Sequence, residues 1–147
     1  ISLDGVRLRT DSFDVQVAPS SSTALSFKLP ADAVLNEPLD NLFYRLGYKD
    51  SHGAYTCLHY FVSEKQLQLK KLNIISDFSQ TNGGYALTLS CPVLQKNIAI
   101  SASKNVRFSD NYFDLIPNET KRVFIKSSEK LLYSDIKLRS LNELVQN

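Results

Sequence analysis

The chain has 147 residues, 43% hydrophobic and 22% charged, a balance that suits one ordinary globular domain or two small ones and excludes a disordered chain. No stretch approaches the ~20 consecutive apolar residues of a membrane-spanning helix. The 17 basic and 15 acidic residues are interspersed and leave a net charge of +2, which speaks against the broad basic face of a nucleic-acid or anionic-lipid binder.

Asp4-Gly5 is a hairpin-type turn signal, because both residues tolerate positive φ. Only Ile1 to Leu3 precede it, so the earlier part of the partner strand is expected upstream. A chain with no methionine that starts at Ile1 without a signal-peptide pattern reads as a piece of a longer protein. "VRLRT" and "FDVQVA" follow as expected strands, with Phe13, Val15 and Val17 alternating against Asp14 and Gln16. "TALSFKLP" alternates Leu25, Phe27 and Leu29 until Pro30 removes a ladder donor. In "LFYRLGYKD" the residues Leu42, Tyr44, Leu46 and Tyr48 share a face, and "KDSHG" turns the chain into "AYTCLHYFV", predicting a second hairpin.

"SEKQLQLKKL", residues 63–72, lacks a helical face and is expected to be an extended linker. The charge balance shifts there, from seven basic and eight acidic residues through Lys70 to ten and seven from Lys71 onward. Beyond it "NIISDFSQ" and "YALTLSC" flank an Asn82-Gly83 turn, with Tyr85, Leu87, Leu89 and Cys91 on one face. "LQKNIAISAS", "KRVFIKS" and "DIKLRSLNEL" continue the series, and "NELVQN" has the character of a terminal turn. The predicted class is all-β: two immunoglobulin-like antiparallel sandwiches, the first (1–70) truncated on its N-terminal side and the second covering 71–147. A single large barrel is the lesser alternative. The Cys-Trp-Cys hallmark of antibody domains is absent, since the chain has no tryptophan.

Chemistry-bearing residues are few. Cys57 and Cys91 fall in different predicted modules, so two free thiols are expected rather than a disulfide. Cys57 and His59 lie on one strand face about 7 Å apart along the backbone, and a packed or partly exposed sheet pair is preferred there over a catalytic dyad. Two cysteines and two histidines show no zinc-site spacing, and Gly83-Gly84 opens no helix that could cradle phosphate. No metal or cofactor is expected. Exposed aromatics could stack on sugar rings, although alternation sends most of them to cores. Asn118-Glu119-Thr120 fits the N-glycosylation sequon, but the reading of Asn118 after Pro117 as a left-handed turn residue is preferred.

The densest polar cluster lies in "VRFSDNYFDLIPNETKRVFI", residues 106–125. Asp110 and Asp114 could form a carboxylate pair for Ca²⁺ or sugar hydroxyls. The structural alternative has Ser109, Asp110 and Asn111 binding backbone groups where the chain leaves one sheet for the other, with Phe108 and Phe113 anchoring the corner. This alternative is preferred.

The stretch "RFSDNYFDLIPNETKRVFI" resembles the "FSDN-aromatic-F-D-L-x-P-x-E-x-K" signature of the C-terminal immunoglobulin-like domain of β-mannosidases, in family 2 of the glycoside hydrolases. "FDVQVAPSSST" and "NEPLDNLFYRLGYKDSHG" are similar to the sandwich that precedes it, so the resemblance covers nearly the whole chain. It departs from the pattern at Pro117-Asn118, where many members have Gly in place of Asn, a substitution that positive φ accepts. The resemblance implies a non-catalytic accessory region of a multidomain enzyme that removes terminal β-linked mannose with retention. It implies as partners a (β/α)₈ barrel of the same polypeptide and the carbohydrate substrate of the parent. Phe108, Ser109, Asp110, Asn111, Phe113 and Asp114 are then a family motif, structural or at the rim of the substrate pocket. The catalytic glutamates belong to the barrel, so Glu37, Glu64, Glu119, Glu129 and Glu143 inherit no role. The rival expectation is a tandem carbohydrate-binding or adhesion module with no enzyme attached.

Overall fold

A computed structural model describes residues 1–26 and 37–145 of the chain. Phe27, Leu29 and Pro30 of the expected third strand, and the final Gln146-Asn147, lie outside the described residues. Those described form antiparallel β-structure with short 3₁₀ turns and no α-helix. Two compact units result: Ile1–Ser2 with Val6–Leu67, and Leu3–Gly5 with Gln68–Asn147.

Among the described residues the first unit contains one hairpin, β1 (Phe43–Lys49) paired with β2 (Ala54–Tyr60). Its turn is built by Asp50, whose Oδ1 accepts the N–H groups of His52 (2.7 Å) and Gly53 (2.9 Å), so a side chain stands in for backbone partners at the tip. Tyr48 stacks on its cross-strand partner Tyr55 with ring centroids 4.7 Å apart. Ahead of the hairpin, Ser2 bridges Leu42 and Phe43 N–H donates to the Ile1 carbonyl at 3.0 Å.

The strands expected at "VRLRT" and "FDVQVA" do not form: no strand lies between Val6 and Ser26, and Phe13, Val15 and Val17 are exposed. Alternation decides which side chains share a face, but a strand persists through ladder bonds to a neighbour. Among the described residues no ladder includes this segment.

The second unit has two sheets. One has the order β3-β4-β8-β6 and the other β7-β5-β9, formed by β3 (Ile75–Thr81), β4 (Gly84–Ser90), β5 (Gln95–Ala102), β6 (Val106–Phe108), β7 (Phe113–Leu115), β8 (Thr120–Ser127) and β9 (Ile136–Arg139). Every pairing is antiparallel. The alternating Leu87 and Leu89 of β4 and Val123 and Ile125 of β8 meet Ile98, Ile100 and Leu115 of the second sheet in one buried cluster, with Cys91 among them. Inward side chains from two facing sheets thus interdigitate as in a sandwich. Gly84 permits the β4–β8 approach: a Cβ there would lie 2.3 Å from the Ile125 carbonyl oxygen.

Residues 3–5 belong to this unit. Leu3 is buried and its carbonyl accepts Leu94 N–H at 2.8 Å, while Asp4 binds Lys70 Nζ at 2.6 Å. Gly5 has φ +82°, and a Cβ on it would lie 2.5 Å from Asn118 Nδ2 and 2.8 Å from Pro117 Cβ. The expected Asp4-Gly5 turn is present, closed by Ser2 N–H on the Val6 carbonyl at 2.9 Å.

Candidate functional site

The polar cluster at 108–114 lies between the two sheets of the second unit, because β6 belongs to one and β7 to the other. Four residues, 109–112, make the crossing. The β6–β8 register pairs Phe108 with Ile125, so its continuation sets Ser109 opposite Phe124. Ser109 N–H donates to the Phe124 carbonyl at 2.8 Å, and Phe124 N–H donates to Ser109 Oγ at 2.9 Å. The hydroxyl therefore occupies the ladder position that a carbonyl would fill had the chain gone straight on.

Asn111 does the same at the entry to the second sheet. The β5–β7 register pairs Ile98 with Phe113, and its continuation sets Asn111 opposite Ile100. The Asn111 amide accepts Ile100 N–H at 2.8 Å through Oδ1 and donates to the Ile100 carbonyl at 2.9 Å through Nδ2. A side-chain amide carries a donor and an acceptor in nearly peptide geometry, which is why asparagine suits this position. Between the two, Asp110 Oδ1 accepts Asn111 N–H at 2.9 Å and Oδ2 pairs with Lys121. Phe108 and Phe113 pack against the core cluster, and Lys121 Nζ lies 5.0 Å from the Phe113 ring centroid. Tyr112 is held at φ +60°, its N–H donating to Asn111 Oδ1 at 3.0 Å, and the residue is 77% exposed.

Asp114 serves a different element. Gln95 pairs with Leu115 and Ile98 with Phe113, so two residues of β5 oppose one of β7, the arrangement of a β-bulge. A bulge frees backbone donors from the ladder. Here Asn97 N–H, at φ +52°, donates to Asp114 Oδ1 at 2.8 Å, and Lys96 N–H donates to Asn142 Oδ1 at 2.9 Å. Lys96 Nζ completes a nearly buried ion pair with Asp114 at 3.0 Å. Asn142, buried in the terminal 3₁₀ turn Leu141–Leu144, also donates to the Lys70 and Leu94 carbonyls. Sequence reasoning missed Asn142 and Lys96: nothing near residue 142 announces a bulge 46 positions earlier.

The two carboxylates of the cluster are thus divided between two lysines and two backbone sites and do not act as a shared cation cradle. Among the described residues no group of three His, Cys, Asp or Glu side chains could hold a metal ion. Cys57 is exposed with Sγ directed to the Leu58 carbonyl, and His59 meets Phe61 edge-on, so strand β2 forms no thiol–imidazole bond. Cys91 is buried, and both thiols are free. Asn118 takes the left-handed conformation (φ +61°) that its place after Pro117 suggested, with its N–H on the Cys91 carbonyl at 2.8 Å. Among the described residues the carboxyl clearly displaced from its ordinary range is Asp135, held low by Leu132 N–H and then by Lys104 and Ser103. It closes the Tyr133–Asp135 turn.

An open hollow beside the Asn82-Gly83 turn is lined by Arg107, Lys126 and Ser127 and contains no carboxylate. The chemistry available at the corner is hydrogen bonding and ion pairing in the service of two sheets.

Residues 69–144 match the family model Ig_mannosidase, an Ig-fold domain. The matched span includes every strand from β3 to β9. No curated protein matches the chain.

Proposed function

The chain belongs to the family of Ig-fold domains found in β-mannosidases, and from that premise we propose that it is a non-catalytic accessory region of a β-mannosidase-like glycoside hydrolase. The parent would hydrolyse terminal, non-reducing β-D-mannose residues with retention. In this reading residues 71–147 form a complete Ig-like sandwich that braces a (β/α)₈ barrel of the same polypeptide. Residues 1–70 are an incomplete sandwich whose remaining strands come from the same polypeptide. The match over the second unit carries the proposal.

The geometry of the corner supports it. Asp110 and Asp114 each bind a lysine and a backbone N–H. A retaining glycosidase instead needs two carboxyl groups facing one substrate bond, one as acid and one as nucleophile. The exposed alternating residues Leu46, Tyr48 and Tyr55 on the hairpin support the incomplete first sandwich. They have the period of half-buried strands and lack a covering layer among the described residues.

Two measurements test the reading. The purified chain is expected to leave an aryl β-mannoside intact, and turnover by it would overturn the assignment. The coding sequence upstream is expected to encode a barrel carrying two catalytic glutamates; a surface-anchoring architecture there would replace the accessory role with adhesion.

A further inference from the structure

We propose that Tyr112 is a carbohydrate-stacking residue, a ring held outward by the inter-sheet corner to receive the C–H face of a neutral pyranose.

Among the described residues, four non-glycine residues have positive φ: Ser20, Asn97, Tyr112 and Asn118. Asparagine is a usual exception to the steric penalty of that region, whereas a bulky aromatic residue there is an outlier. The cost is not recovered by burial, since the residue is 77% exposed. A tyrosine normally contributes to a fold by burying its ring, and here it buries little. Asn at this position would supply the same backbone shape with less strain. The fold therefore gains little burial from the tyrosine, and backbone strain retained under those conditions points to a function outside the fold.

The surroundings favour a sugar over other ligands. Asn111, whose side chain is fixed by both polar groups of Ile100, also holds the Tyr112 N–H, so the ring projects from a rigid frame. Asp110, two residues before Tyr112 in the chain, forms an ion pair with Lys121, and these side chains are 44% and 39% exposed. One short loop thus carries an exposed aromatic ring and a partly exposed carboxylate paired with an ammonium, groups that suit the two aspects of a pyranose, an apolar C–H face and a rim of hydroxyls. A protein anchor would favour an apolar surround, and a nucleic acid would favour a basic field that a net charge of +2 does not supply. The choice of β-linked mannose as the sugar rests on the accessory-domain reading above; the stacking role does not.

The test is an NMR titration of the 147-residue chain with β-1,4-mannobiose. Saturable shifts confined to residues 109–113 are expected, with a Kd on the order of millimolar. Tyr112→Phe should bind within about threefold of the parent chain and Tyr112→Ala at least about tenfold more weakly. Tyr112→Asn should melt at or above the temperature of the parent chain and still lose binding, a combination that a merely structural tyrosine would not give. No saturation, or saturation unchanged in Tyr112→Ala, would overturn the proposal while leaving the accessory reading intact. Hydrolysis of the disaccharide by the chain would instead overturn the accessory reading.

Discussion

The hairpin of the first unit and the β4–β8 pair of the second are written in the same alternating code, and they end in different environments. Leu46, Tyr48 and Tyr55 on the hairpin are 44%, 60% and 45% exposed, whereas Leu87, Leu89 and Val123 are all at 0%. Both ribbons are antiparallel and in continuous register. The difference is a second layer. In the second unit the β7-β5-β9 sheet covers the apolar face, and the chain spends polar side chains to get there, at Ser109, Asn111 and Asp114. Period-2 alternation specifies a face; only a facing sheet turns that face into a core.

The largest expected effect sharpens this contrast directly. Leu87→Ala should lower the unfolding free energy by about 3–5 kcal/mol, the cost of a cavity in a closed core, and Leu46→Ala by less than about 0.5 kcal/mol. Denaturant titration followed by circular dichroism measures both, and equal losses would break the contrast. Next comes Asp114→Ala, expected to cost about 3 kcal/mol. It leaves Lys96 charged and nearly buried and the bulge donor of Asn97 without its carboxylate. Removing the first unit's counterpart, Asp50, from its exposed turn should cost only about 0.5–1.5 kcal/mol.

Gly5→Ala is expected to cost about 1–2 kcal/mol from the left-handed backbone alone, with further loss because the new methyl meets Pro117 and Asn118. Faster exchange of the Leu94 amide, which donates to Leu3, would report release of the arm. The smallest effect is a pH dependence. The Asp135 carboxyl is held below its ordinary value of 3.8, first by the Leu132 N–H and then by Lys104. A depressed folded value means that its stabilisation is fully present above about pH 4 and is lost as pH falls through that lower value. Asp135→Asn should therefore flatten the acid limb of the stability curve, and an unchanged limb would contradict the assignment.

Much of this was legible in the sequence, and the reasons for the misses are physical. The faces of β4 and β8 follow from alternation alone, and the left-handed Asn118 from its place after Pro117. Ser109, Asp110 and Asn111 were recognisable as corner residues because short polar side chains bind backbone where ladders end. Their partners were not, since pairing Asn111 with Ile100 needs the register of two strands. Asn142 and Lys96 were invisible because their roles depend on a bulge, a local irregularity that periodicity conceals. The segment 6–26 misled for the converse reason: its alternation is genuine, but nothing local shows whether a partner strand is at hand. Asp4-Gly5 reads as a hairpin turn, and the segment Leu3–Gly5 also provides a buried arm of the second unit, a contact across more than sixty residues of sequence.

The central claim is that the 108–114 cluster is a joint in which side chains take over ladder positions between two sheets. Hydrogen exchange at the Ile100 amide tests it most directly, because that N–H has Asn111 Oδ1 as its acceptor. The account predicts a protected amide in the parent chain and, in Asn111→Ala, loss of that protection together with about 2–3 kcal/mol of stability. Protection of Ile100 that survives Asn111→Ala unchanged would contradict it.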